Sequence, residues 1–218
     1  MGETFCFESP PSQPTRAITL FSEVFRLERR TRRAKVIRFC RLSEINGRNL
    51  RMDFFEVINA RRSIRKYRSE PVSNEKLEMI LEATRLAPSA GNRQPWRFVL
   101  VQSANRKKAL AKAANDQLFL GDAAVIVVGV GDPEVSARWY EKDTMIALEH
   151  MVLAATALGY GTCWIGAFDE DEIKNLLKIP ARMRVVALLS IGVAAEKPAS
   201  RPRKEVSEIF FNEEWQSH

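Results

Sequence analysis

Four short apolar runs constrain the fold of this chain more than any other feature of its sequence. In residues 123–130 (AAVIVVGV), apolar and β-branched residues follow one another without the polar alternation of a half-exposed strand. A strand of this composition is buried on both faces, so its sheet needs a covering layer on each side. The other three predicted strands are residues 98–101, 162–165 and 184–193.

Helical periodicity fills most of the chain between these strands. Leu77, Ile80 and Leu81 recur at helical spacing within residues 73–86, where Ser73 or Asn74 can cap the first turn. Further helices are predicted at residues 53–60, 106–114 and 169–177, and at 144–158 with Asp143 as the cap. Helices and apolar strands in this order predict a three-layer α/β/α sandwich.

Positive charge is concentrated at the start of the chain. The net charge is +7, of which residues 1–51 carry +6 and the remaining 167 residues only +1. Residues 26–41 can form a basic amphipathic helix on anionic lipid or nucleic acid, and the alternative function is a nucleic-acid or membrane-surface binder led by residues 16–51. We favour a loosely ordered tail, or sequence upstream of a true start at Met52. We therefore divide the chain into an extension, 1–51, and a folded domain, 52–218.

Cysteine and histidine are scarce. Cys6, Cys40 and Cys163 form no C-x-x-C pair, which predicts a reducing, cytoplasmic location. Only His150 and His218 are available, so we expect no dedicated metal site and no His-based nucleophile system. His150 lies in a long apolar helical pattern and is interpreted as a packed or partner-facing residue. No secretory signal or membrane span is apparent, and no nucleic-acid partner is expected.

Two basic clusters lie far apart in sequence. The first is Arg61-Arg62-Ser63-Ile64-Arg65 and the second is Arg201-Pro202-Arg203-Lys204. Arginine donates paired hydrogen bonds to phosphate oxygens and stays charged, so two converging clusters can hold one phosphate. The alternative for Arg61 and Arg62 is that they cap the helix predicted at 53–60, because cations are favoured at helix C-termini.

A turn-rich loop between the second helix and the first strand is the other candidate site. It reads Ala-Pro-Ser-Ala-Gly-Asn-Arg-Gln-Pro-Trp over residues 87–96. Asn92 and Gln94 each carry an amide that donates and accepts, which suits the edge of a heterocycle. A polar connection without function is the equally weighted alternative.

Together these features resemble the FMN-dependent nitroreductase family over about residues 52–215. The matching stretches are Met52 to Phe55 through the first basic cluster, the loop 87–96, residues 159–166 (GYGTCWIG), and Arg201-Pro202-Arg203. The resemblance implies a mixed, largely antiparallel sheet in a homodimer that binds FMN between its subunits. It also implies an NAD(P)H-dependent oxidoreductase that reduces a nitroaromatic, quinone or similar small acceptor in two steps.

Site residues follow from the resemblance position by position. The phosphate and ribityl oxygens are assigned to Arg61, Arg62, Ser63, Arg65, Arg201 and Arg203. The isoalloxazine ring is assigned to Pro88, Ser89, Ala90, Asn92 and Gln94 of the partner subunit's loop, and to Gln117, Trp164, Ile165 and Gly166. The flavin carries the chemistry, so no protein acid or base is assigned.

The chain departs from the family pattern where many relatives insert a helical lid. Only a short stretch separates Asp132 from Asp143, which leaves Arg138, Trp139 and Tyr140 as the predicted substrate rim. Iodotyrosine dehalogenation needs residues of the longer lid and is not expected. An alternative within the family is FMN binding without nicotinamide turnover, as in relatives that fragment flavin. The choice between NADH and NADPH stays open.

Overall fold

The computed structural model describes residues 52–215. Its helices are α1 (Phe54–Ala60), α2 (Asn74–Arg85), α3 (Ala104–Ala113), α4 (Tyr140–Ala157) and α5 (Glu170–Leu177). Its strands are β1 (Trp96–Val101), β2 (Val125–Gly131), β3 (Gly161–Ile165) and β4 (Arg184–Gly192). Single 3-10 turns occupy Ala90–Asn92, Leu118–Gly121 and Val206–Glu208. All four predicted strands and all five predicted helices are therefore present, with ends shifted by a few residues.

The four strands form one sheet in the order β1-β2-β4-β3, and each neighbouring pair is antiparallel. An isolated parallel bridge joins Ser63 to Thr162 in the edge strand β3. The predicted mixed, largely antiparallel sheet is confirmed, with this bridge as the parallel contribution among residues 52–215.

A helical layer covers each face of the sheet. Every residue of β2 is buried, and alternate side chains point to opposite layers. Ile126 and Val128 pack in one core with Ile173 of α5, together with α3 side chains. Val125 and Val127 pack in the other core with α2 and α4. The three-layer sandwich predicted from the unalternating apolar run is confirmed.

Side-chain caps set the starts of α1, α2 and α5, the last through Asp169, which accepts from the backbone N–H of Glu172. Asp53 accepts from the backbone N–H groups of Phe55 and Glu56 at the start of α1. Ser73 Oγ accepts from the backbone N–H of Lys76 in α2, as predicted. The predicted cap at Asp143 is wrong: α4 begins at Tyr140, and Asp143 is a buried residue of its first turn.

Helix α1 shows its apolar face to solvent. Phe54, Phe55 and Ile58 are 61%, 72% and 46% exposed, and only Val57 of this helix is buried. Met145 and Ile146 of α4 are also exposed, at 42% and 41%. Within the described part of the chain, no helix is long and apolar enough to cross a membrane.

A carboxylate network fastens α5 to the start of β4. Glu170 accepts from Arg184 at 2.9 Å, from Lys174 Nζ at 2.9 Å and from the backbone N–H of Val185 at 3.0 Å. Burial tends to raise the pKa of Glu170, but hydrogen bonds from Arg184, Lys174 and Val185 outweigh it and lower the pKa to about 2. The ionised form of Glu170 therefore stabilises the fold.

We expect this stabilisation to appear as a pH dependence of unfolding. A depressed carboxyl pKa adds stability above the unfolded pKa of about 4.3 and loses it as pH falls towards the folded value. Between about pH 5 and pH 2, the free energy of unfolding should fall about 2 kcal/mol more in the wild type than in Glu170→Gln. Urea unfolding across this range measures the difference. Glu172→Gln, an exposed change on the same helix, should behave like the wild type.

Candidate functional site

The first basic cluster runs along the edge strand β3. Ile64 N donates to Thr162 O at 2.8 Å, beside the parallel bridge of Ser63. Gly161 permits this approach, because a Cβ built there would lie 2.6 Å from Ile64 Cγ1. The missing side chain at Gly161 therefore lets the segment that carries Arg61, Ser63 and Arg65 lie directly on the sheet.

A buried hydroxyl pair supports this segment from below. Tyr67 Oη donates to Ile64 O at 2.7 Å and is hydrogen-bonded to Ser190 Oγ of β4 at 2.8 Å. The Tyr67 ring covers Gly192, whose added Cβ would meet Tyr67 Cδ1 at 2.8 Å. Burial raises the pKa of Tyr67, so its hydroxyl remains a neutral donor.

Arg62 makes two hydrogen bonds at the end of α1, and one of its nitrogens is buried without a partner among the described residues. One terminal nitrogen donates to Asn59 O at 2.6 Å and to Arg61 O at 2.8 Å, which confirms the C-terminal capping alternative for this arginine. Its Nε is buried and has no hydrogen-bond partner among the described residues. A buried donor without an acceptor is rare in folded proteins, and the oxygen of a bound ligand is one group that can satisfy it. The residues present therefore fit an anionic group such as a phosphate.

The predicted ring-binding residues of β3 lie in the same neighbourhood. Cys163 interacts with Arg65, Ser63 and Arg61, although burial dominates and raises the pKa of its thiol. Gln117 Nε2 donates to Ala167 O at 3.3 Å, next to Trp164, Ile165 and Gly166. The first cluster therefore lies beside the start of the edge strand β3, and Gln117 lies beside the residues that follow its end.

Glu149 of α4 also belongs to this neighbourhood, although no pattern in the sequence pointed to it. Burial raises the pKa of Glu149, and a hydrogen bond from the Trp164 side chain with the charges of Arg61 and His150 opposes this. His150 is half-buried and packs against α2, with Nδ1 3.2 Å from Ala83 O. Its interpretation as a packed residue fits this contact.

The second basic cluster follows a segment that pairs with the first. Ala195 N donates to Lys66 O at 2.9 Å, and Glu196 Oε1 accepts from the backbone N–H of Arg65 at 2.6 Å and of Lys66 at 3.1 Å. Arg201 and Arg203 are exposed, and Arg203 donates only to the carbonyl oxygens of Arg201 and Pro202 among the described residues.

The loop before β1 is held in an unusual conformation. Gly91, Asn92 and Gln94 have φ values of 57°, 53° and 49°. Gln94 Nε2 lies 3.2 Å from Asn92 Oδ1, and Ser89 Oγ accepts from Gln94 N at 2.9 Å. Left-handed backbone outside glycine costs energy and is concentrated at functional sites. Asn92 and Gln94 are exposed, so their remaining amide groups face outward.

Asp143 anchors this loop to α4. The carboxylate of Asp143 is 2% exposed and accepts from Ala90 N at 3.2 and 3.3 Å. This contact spans 53 residues and explains why Asp143 lies inside the helix instead of capping it. Of the predicted rim, Arg138 is exposed, Trp139 is 48% exposed, and Tyr140 is half-buried with its ring against Gly131.

In one chain, the loop and the first basic cluster lie at opposite corners of the sheet. Trp96, the last residue of the loop, pairs with Gly131 at one end of edge strand β1. Thr162, beside the cluster, pairs with Ile191 at the other end of edge strand β3. Three strand spacings separate the edges by about 14 Å, and about six residues along the strands add about 20 Å. The two groups of predicted site residues therefore do not meet within one chain.

Comparison with known proteins identifies the family to which residues 58–193 belong. The model of the nitroreductase family matches residues 58–124 and 113–193. This chain belongs to the nitroreductase family. The nitroreductase match covers every strand, the first cluster, the loop and the end of β3.

Individual proteins that are similar to this chain are also flavin or nicotinamide oxidoreductases by name. An NADH dehydrogenase of Thermus thermophilus is 30% identical over 63% of this chain and 84% of its own length. An FMN reductase [NAD(P)H] of Bacillus subtilis is 32% identical over 65% of this chain and 66% of its own length. A solved FMN-dependent nitroreductase of Clostridium difficile R20291 superposes with a TM-score of 0.67 at 30% identity, covering 72% of this chain and 97% of the other.

Proposed function

We propose that this nitroreductase passes electrons from NAD(P)H through FMN to a small acceptor such as a nitroaromatic or a quinone. The chain is an NAD(P)H-dependent oxidoreductase, and its cofactors are FMN and NAD(P)H, as the family and the names of its relatives indicate. The observation that carries the proposal is the arrangement of the first basic cluster and Gln117 along one edge strand, β3, with the cluster beside its start and Gln117 beside its end.

Each group of residues has a defined task in this proposal. The phosphate is held by Arg61, Arg62, Ser63 and Arg65. The buried Nε of Arg62, which has no partner among the described residues, donates a hydrogen bond to it. Arg201 and Arg203 close the phosphate grip from the tail. Trp164, Ile165, Gly166 and Gln117 contact the ring of FMN, which supplies two-electron transfer when bound. The guanidinium groups favour negative charge in this part of the site.

We further propose a homodimer in which the loop of one subunit completes the site of the other. The loop and the cluster lie at opposite corners of one sheet. In this proposal a second copy supplies Pro88, Ser89, Ala90, Asn92 and Gln94 to the ring. The exposed apolar side chains of α1 and α4 support this, because large exposed apolar patches mark protein interfaces.

The folded domain in this proposal is residues 52–218, and residues 1–51 are an extension to it. The family match begins at residue 58 and supports this division. Only residues 132–139 connect β2 to α4. In this proposal Arg138 and Trp139 therefore border an open entrance to the flavin site. An open entrance suits small planar acceptors of varied shape.

A visible spectrum of the purified full-length protein tests the proposal. We expect bound FMN, bleached by anaerobic addition of NADH or NADPH and restored by a quinone or nitroaromatic. A colourless protein that takes up no added FMN, and that binds nucleic acid or anionic vesicles through residues 1–51, would contradict it. Bound flavin that resists NAD(P)H and yields flavin fragments in oxygen would instead indicate the non-nicotinamide alternative.

A further inference from the structure

We propose that Glu196 is a positioning residue that fixes the tail carrying Arg201 and Arg203 to the first basic cluster. This inference rests on the proposed FMN site and adds a residue that contacts neither the flavin nor the acceptor. In it, Glu196 sets where the second group of guanidiniums meets the phosphate.

The contacts of Glu196 are directed at the backbone of the first cluster. One carboxylate oxygen accepts from the consecutive N–H groups of Arg65 and Lys66, at 2.6 and 3.1 Å. Consecutive backbone N–H groups form a favourable concave site for an anion, and a charged acceptor strengthens both bonds. Glu196 is half-buried, which limits competition from water. The orientation of the Arg65 backbone therefore depends on this carboxylate.

Glu196 is also the last residue before the tail, residues 197–204, that is hydrogen-bonded to the first cluster segment. Backbone pairing between the two segments runs from Arg68 N with Val193 O to Ala195 N with Lys66 O. Beyond Glu196, residues 197–204 make no hydrogen bond to residues 61–68 in the described part of the chain. The direction taken by the tail is consequently set at Glu196.

The backbone after Glu196 is short and stiff, so its direction determines where Arg201 and Arg203 lie. Pro198 and Pro202 restrict the backbone on both sides of Arg201. Arg201 lies five positions after Glu196, a distance of at most about 17 Å. A stiff, short connection carries a change at Glu196 to the guanidinium groups, whereas a flexible one would absorb it.

Comparison of FMN with riboflavin isolates this role, because riboflavin lacks the phosphate. In Glu196→Gln, which keeps the side-chain size and removes the charge, we expect the Kd of FMN to rise about tenfold. The Kd of riboflavin should change less than about twofold, and the melting temperature of the apoprotein should stay near that of the wild type. Glu78→Gln, an exposed change on α2, is the matched control and should alter none of these values.

A double-mutant cycle tests the coupling to the tail. In an Arg201→Ala/Arg203→Ala background, Glu196→Gln should raise the FMN Kd by only about twofold, because both guanidinium groups that it positions are absent. Equal loss of FMN and riboflavin binding would show a general structural role and overturn the inference. So would unchanged or tighter FMN binding, the latter indicating that the freed amides accept phosphate. If the wild type binds neither flavin, the proposed function itself fails.

Discussion

Replacing Arg62 and Arg203 together with alanine should raise the FMN Kd at least about 100-fold. Each hydrogen bond to a charged group contributes about 1.5–3 kcal/mol, so losing two such donors removes about 3 kcal/mol or more. The buried Nε of Arg62 has no acceptor among the described residues, so the ligand has no competing protein group there. Fluorescence titration of the apoprotein with FMN measures the loss.

Two further variants separate phosphate binding from stability. Arg62 also caps α1 through Asn59 O and Arg61 O, so its alanine variant loses some stability as well. Arg62→Lys keeps a cation at the helix end but lacks the guanidinium fork, and should bind FMN with intermediate affinity. Arg106→Ala/Lys112→Ala removes two exposed cations from α3 and should bind FMN normally. Stoichiometric FMN retained by Arg62→Ala/Arg203→Ala would place the phosphate elsewhere.

Mixed dimers should recover activity that neither parent variant has. One parent is Arg62→Ala/Arg203→Ala, and the other is Asn92→Asp/Gln94→Glu, which removes both amide donors of the loop at constant size. If each site takes its loop from the partner subunit, a mixed dimer holds one intact site and one site with both defects. A dimer of this kind should show about half the wild-type rate of NAD(P)H oxidation.

Two affinity tags on co-expressed chains allow the mixed dimer to be purified alone. Dimers of two identically mutated chains should be almost inactive, and tagged wild-type dimers fully active. An inactive mixed dimer would show that loop and cluster act within one chain. Full activity from wild-type monomers at working dilution would contradict the shared site as well.

Local patterns in the sequence predicted the elements of this fold. The unalternating run at residues 123–130 required two covering layers, and β2 is buried at each of its positions. Ser73 begins α2 as its side-chain chemistry requires. These features depend on neighbours within a few residues, which is the range that a sequence pattern reports.

The features that sequence patterns did not predict depend on contacts between residues far apart in the chain. Asp143 has the side chain of a helix cap, but its carboxylate bonds to Ala90, 53 residues away, and α4 starts earlier. Glu196 meets Arg65 across 131 residues without any local signal. Phe54, Phe55 and Ile58 form an exposed apolar face on α1, and the spacing of residues in a sequence cannot say what covers such a face.

If the proposed homodimer shares each flavin site between its subunits, the diagonal separation of loop and basic cluster makes retention of FMN depend on protein concentration. When a ligand is gripped by two chains at once, its binding strengthens their association, and their association strengthens its binding by the same factor. Dilution would then release flavin and subunits together, and added FMN would reverse both. In cells, riboflavin supply would help decide how much of this protein exists in assembled form.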